Sequence, residues 1–282
     1  MILIRNSGLS AEIDEFGAEL KSLRKDGAEF LRHDPRDPWQ ETAPVLFPIC
    51  GGLKDDYFLY RGREYHLPKH GFAKKRAFRG EKTAENEAVF TLEPEEGDEA
   101  IYPWKYLFAV TFRLTGESLL VEYAVENRDG EEMFFSLGAH EGYALPEGIG
   151  AYRVEFEKEE TCSVWSVTGP LLDGGHRPFL RGEKSFVPRA DMFDPDALIF
   201  KDLHSRRVSI VGEKRRITVD FPGFPFLLLW QIPGSRYLCV EPWHGMPDAV
   251  DGDHDLRKRE GIVALGPGKR FVLTHAITPE VL

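Results

Sequence analysis

Three short segments place proton-moving groups in otherwise apolar text. In FFSLGAHEGYALP, His140 follows a strand-like run and stands between Gly138 and Gly142. An imidazole titrates near neutrality and can give or take a proton, which suits a general acid or base. The flanking glycines allow close approach of backbone or ligand. In YLCVEPWHGMPD, Glu241 closes an apolar strand immediately before Pro242, Trp243 and His244. A carboxylate at that exit needs a partner if it is buried. It can accept a hydroxyl proton while Trp243 offers a flat face to a sugar ring, or it can end the strand in an ion pair with Arg236. In YHLPKHGFAKK, His70 lies between Lys69 and Gly71, where a strand gives way to a tight turn; alone it reads as a loop histidine.

Other chemistries lack their residues. The chain has no GxGxxG after a strand, no GxxxxGK[ST], no HExxH and no GxSxG. The run DGDHD from Asp251 resembles the start of a calcium loop, but Leu256 occupies the sharp-turn glycine position and Ile262 the bidentate glutamate position. The three cysteines, Cys50, Cys162 and Cys239, are widely spaced in apolar surroundings and read as buried thiols in a reducing cytoplasm. A net charge of −11 argues against a nucleic-acid partner. No apolar run is long enough for a membrane span, and the N-terminal one is too short for a signal peptide.

The elements that must carry these groups read as strands. LLVEYAVEN alternates Leu119, Val121, Tyr123 and Val125 against Glu122 and Glu126, and FAVTFRL before it alternates likewise across a TGES turn. RRVSIVGEKRRITVDF repeats the hairpin, and GKRFVLTHAIT supplies a last strand. FPFLLLWQI, flanked by prolines, reads as a fully buried central strand. Helical text is scarce, a turn or two around Asp255 to Glu260. With 27 Gly and 19 Pro in 282 residues the chain is rich in turns, and the expectation is an all-β protein. Its architecture should be a large antiparallel β-sandwich forming a single domain over residues 1–282.

In combination, GAELKSL, WQETAPVLFPICGGLKDDYF, LPKHGFAKKRAF, FFSLGAHEGY, DALIF and CVEPWHGMPD resemble the galactose mutarotase-like superfamily. These are the aldose 1-epimerases, and the likeness is strongest to the LacX-like branch. The stretches occur in family order over nearly the whole chain. The resemblance implies a β-sandwich with a sugar cleft on one sheet and no organic cofactor. It implies that His140 protonates the ring oxygen, Glu241 takes the anomeric hydroxyl proton and His70 assists, while Asp196 orients the sugar, with Asp194 close by. An acid and a base flanking the hemiacetal suffice, so neither nucleophile nor metal is needed. On this reading His140 is protonated and Glu241 ionised at working pH.

One departure stands out. Family members usually carry Arg where PICGGLKDD has Gly52, and often Arg where this chain has Lys74. Lys54 or Lys74 would then supply the cation, without the bidentate geometry of a guanidinium. The expected partner is a small sugar, and the expected state a monomer or weak homodimer. The alternatives are a hexose-phosphate mutarotase and a non-catalytic carbohydrate-binding protein of the same fold.

Overall fold

The computed structural model describes every residue except Pro35 and Pro195. Its strands pair antiparallel throughout, most of them in one fourteen-strand sheet joined by a four-strand sheet and two small two-strand ribbons. The alternating segments become the strands their patterns require. Tyr106–Thr115 and Ser118–Asn127 form a hairpin closed at Gly116, whose φ of +58° is easy only for glycine. Arg207–Val211 pairs with Arg215–Asp220, and Arg270–Val281 runs between that hairpin and Ser118–Asn127. FPFLLLWQI yields the strand Phe226–Trp230, flanked on both sides by partners and buried along nearly its whole length. That burial on two faces explains its continuous apolar text.

Among the described residues, helical structure is limited to 3₁₀ turns of three or four residues. One of them, Leu256–Lys258, falls in the expected Asp255 to Glu260 stretch, with the Asp255 carboxylate accepting the Arg257 N–H. Among the described residues no helix is long and apolar enough to cross a membrane. The architecture is thus the all-β antiparallel type expected. Its main core is aromatic, with Phe47 stacked on Phe108 at 4.4 Å and Tyr123 over His275 at 5.8 Å, and a smaller cluster that includes Leu228 and Trp243 packs separately from it. The three cysteines are free and buried.

The part of the sheet that matters for chemistry is the strand Tyr237–His244. It lies between Phe226–Trp230 on one side and the short segments Leu137–Gly138 and Glu141–Ala144 on the other.

Candidate active site

Register brings the acid–base candidates together. Gly138 pairs with Trp243 and Glu141 with Val240, so continuing the ladder sets His140 opposite Glu241. Pro242 has no N–H, but its carbonyl still accepts the Ala139 N–H at 3.0 Å. Strand alternation then turns Gly138, His140 and Gly142 to the same side as Trp243, Glu241 and Cys239. The result is a contact of 3.4 Å between His140 Nε2 and Glu241 Oε2.

The two glycines make room for side chains rather than for backbone. A Cβ on Gly138 would stand 2.7 Å from the Trp243 ring, and one on Gly142 would stand 2.8 Å from the Trp39 ring. Trp39 consequently leans on His140, with ring centroids 5.1 Å apart, and meets Trp230 edge-on at 5.4 Å. Trp243 is fixed from below, its indole N–H donating to the Ala139 carbonyl at 3.2 Å.

His70 arrives from a different part of the chain. It adopts φ = +69°, uncommon for a residue with a side chain, and Gly71 follows at +72° with its α-carbon against the Phe47 carbonyl. The turn is locked twice to Gly51: the His70 N–H donates to the Gly51 carbonyl at 2.9 Å, and the Gly51 N–H donates to His70 Nδ1 at 3.1 Å. A ring nitrogen that accepts carries no proton, so the neutral ring bears its hydrogen on Nε2. The ring stands perpendicular to that of His140 at 5.7 Å.

These groups line a cleft of about 440 Å³ together with Trp39, Glu41, Lys69, Lys74, Asp196 and Trp230. That volume lies within the usual range for small-molecule sites. Of the expected residues, His70, His140, Glu241, Asp196, Lys74 and Trp243 all reach it. Asp194 does not; it lines a neighbouring cavity. Lys74 is already engaged, its Nζ held by Glu41 at 3.1 Å.

Lys54 is a correction. Its ammonium donates to the Gly252 carbonyl at 2.9 Å, and its backbone N–H to Asp248 at 3.0 Å, so it is tied to the 248–252 loop and is absent from the cleft wall. The cause is the turn Lys54–Asp56, where Asp55 takes φ = +53° and directs the chain away. Gly52 has its own explanation. A Cβ there would come within 2.7 Å of Pro170, so the hairpin tip at Pro170 fills the space a larger residue would need. The Gly51–Gly52 loop is held from beneath by the buried Arg259, which donates to the Cys50 carbonyl at 3.0 Å and pairs with Asp248 at 2.7 Å.

The pKa shifts run against the expected charge states. Burial holds the His140 ring down at about 3, against weaker raising influences from its own backbone and Glu41. Burial pushes the Glu241 carboxyl well above the usual carboxylate range, with Asp196 and Glu141 adding to the rise and Lys69 opposing it. Burial thus favours the uncharged form of both groups over an imidazolium facing a carboxylate. Burial likewise keeps His70 well below its ordinary value, reinforced by His140, Lys69 and Lys74. It is a fixed neutral donor.

Six lining residues are not among the expected site residues: Trp39, Glu41, Lys69, Ala197, Leu228 and Trp230. Trp230 has a usable signal, since it alternates with Leu228 on the strand facing Glu241. Trp39, Glu41 and Lys69 sit on loops, where no period announces a direction.

The model of the aldose 1-epimerase family matches residues 1–270. The plasmid-borne protein LacX of Lactococcus lactis subsp. lactis is 31% identical over 94% of this chain and 95% of its own length. Among solved structures, a galactose mutarotase related enzyme from Lactobacillus acidophilus superposes with a TM-score of 0.92 at 31% identity, covering 99% of this chain and 97% of that one. A galactose mutarotase-like protein from Lactobacillus casei gives 0.93 at 26% identity, over 99% of this chain and 100% of its own. With the fold, the cleft and these relatives in agreement, the chain belongs to the aldose 1-epimerase family.

Proposed function

We propose that the protein interconverts the α and β anomers of a free aldose. The observation that carries this reading is the 3.4 Å contact between His140 and Glu241 at the wall of a sugar-sized cleft. The anomeric hydroxyl and the ring oxygen are bonded to the same carbon, so a donor and an acceptor a few ångströms apart can serve both at once. Transfer of the shared proton from Glu241 to His140 arms the pair without changing its proton count. The carboxylate then takes the C1 hydroxyl proton, the C1–O5 bond breaks, and His140 protonates O5. The open aldehyde rotates about C1–C2, and the reverse transfers close the other anomer. His70, donating from Nε2, hydrogen-bonds a sugar oxygen, and Asp196 accepts from a sugar hydroxyl. Trp39 and Trp230 supply apolar faces for the ring. Positioned proton transfer of this kind contributes about 10²–10⁴-fold per group.

A neutral sugar fits the charges better than a sugar phosphate. The cleft sets Lys69 and Lys74 against Glu41 and Asp196, and Lys74 is already paired with Glu41. A dianionic phosphate would have to displace that pair and approach carboxylates. Polarimetry or exchange NMR on freshly dissolved α-glucose, α-galactose and other aldoses, beside the corresponding 6-phosphates, tests this. Faster anomer exchange of free sugars supports the reading; preference for the phosphates reverses the substrate assignment, and no acceleration of any sugar removes the enzyme reading.

A further inference from the structure

A third donor lies beside the His140–Glu241 contact. Cys239 precedes Glu241 by two residues on the same strand, so alternation turns its thiol to the same side of the sheet. One ring nitrogen of His140, the sulfur of Cys239 and one carboxylate oxygen of Glu241 all lie within 4.8 Å of one another. Ligands about 2.0–2.3 Å from a tetrahedral metal stand roughly 3.3–3.8 Å apart, so small side-chain rotations close the set. Imidazole nitrogen, thiolate sulfur and carboxylate oxygen are each accepted ligands of Zn²⁺, and three protein ligands leave a fourth position open to water or a sugar hydroxyl. The thiolate and carboxylate together offset the charge of a divalent ion, which makes the buried assembly neutral.

We propose that His140, Cys239 and Glu241 form a binding site for a thiophilic divalent cation, Zn²⁺ or Cd²⁺, whose occupancy shuts the cleft down. The ion occupies both proton-transfer groups, so a metal-loaded cleft can neither give nor take a proton at the hemiacetal. Mg²⁺ and Ca²⁺ do not substitute, because they require more oxygen ligands than this site offers and gain little from sulfur. Cys239 is thus the residue that makes the protein sensitive to soft metals, and it has no part in the sugar chemistry. The binding site stands on the geometry of three side chains, whereas the inhibition rests on the mutarotase reading.

The test is a Cd²⁺ titration of the intact protein, reading the ultraviolet charge-transfer band of a cadmium–thiolate bond. The band should saturate at one equivalent in the wild type and in Cys162→Ala, and be lost in Cys239→Ala. Excess Mg²⁺ should leave it unchanged. If Cys239→Ala fails to fold, Glu241→Gln in the cysteine-intact protein should weaken Cd²⁺ binding at least tenfold. In an anomer-exchange assay, Zn²⁺ should inhibit the wild type while Cys239→Ala keeps its basal rate and becomes insensitive. Absence of the band in the wild type, or its persistence at full strength in Cys239→Ala, overturns the proposal. Because the band reads binding without sugar turnover, its failure is separable from failure of the mutarotase reading.

Discussion

Two histidine–glutamate contacts, founded on neighbouring residues, serve opposite ends. His140 faces outward and meets Glu241 at 3.4 Å on the wall of the cleft. Glu141, the next residue, faces inward and meets His275 at 3.1 Å in the core, where His275 is fully buried and flanked by Tyr123. Glu141 lies on the strand Glu141–Ala144 and His275 on Arg270–Val281, so the inner contact ties two distant parts of the sheet together. The outer contact opens on a space where a substrate fits. The same pair of side chains is therefore a tie closed in the core in one place and a contact open to a ligand-sized cleft in the other. Access to a ligand, rather than residue type, makes the difference.

Substitution should separate the two. Glu241→Gln and His140→Asn each remove half of the outer pair, and each should lower kcat by about 10²–10⁴-fold in an anomer-exchange assay while the fold survives. Glu141→Gln strikes the inner pair and should do the reverse. Leaving His275 buried with a poorer partner costs roughly 3 kcal/mol in denaturant unfolding, with kcat kept within about tenfold of the wild type. A large kcat loss at unchanged stability in Glu141→Gln would merge the two roles and break the distinction.

The outer pair should also leave a signature in stability against pH. The unfolded reference values are 4.5 for the glutamate and 6.5 for the histidine. Between them the lowered His140 costs stability as pH falls and the raised Glu241 costs it as pH rises, so the two contributions oppose each other. Above 6.5 the histidine is neutral in both states, and only the raised Glu241 carboxyl can add a slope, in the direction of stability falling as pH rises. Below 4.5 the unfolded pair gains a second proton, while the folded pair waits until His140 protonates at about 3, and stability falls as pH drops. The unfolding free energy of the wild type minus that of a Glu241→Gln, His140→Asn double variant should thus fall as pH drops from 4.5 toward 3 and should not rise with pH above 6.5. A difference that stays level from 4.5 down to 3 would mean that burial does not hold the His140 ring down.

The smallest expected effect is at Lys69, whose ammonium lines the cleft and lowers the Glu241 carboxyl. Lys69→Gln should raise the acid limb of the kcat/KM profile by a few tenths of a pH unit, with kcat at the optimum changed less than about threefold.

Much of the outer site is legible in the sequence, and the limits of that legibility are physical. The apolar run YLCV identifies the strand that carries Glu241, although the strand continues past it to His244, and the GAHEGY and VEPW motifs link it to His140. The inner pair is invisible there, because nothing in GAHEGY or LTHAIT says which residues face each other across a core. Lys54 looks close to the cleft because Gly52 is near in sequence, yet left-handed backbone steps at Gly51, Asp55 and Asp56 bracket it and carry its side chain elsewhere. The pKa shifts of the outer pair are hidden in the sequence for a related reason: burial causes them, and burial emerges only when Trp39 and Trp243 pack into the space left by two glycines. Trp39 itself comes from DPRDPW, a stretch whose turn residues conceal an aromatic wall.

Everything proposed for the sugar chemistry turns on the His140–Glu241 pair moving the protons of anomer exchange. The most direct measurement follows the optical rotation of freshly dissolved α-aldose with wild-type protein and with Glu241→Gln at equal concentration. The expected result is rapid decay to equilibrium with the wild type, and with the variant a rate near that of buffer alone. Equal rates for the two folded proteins would contradict a proton-transfer role for the pair.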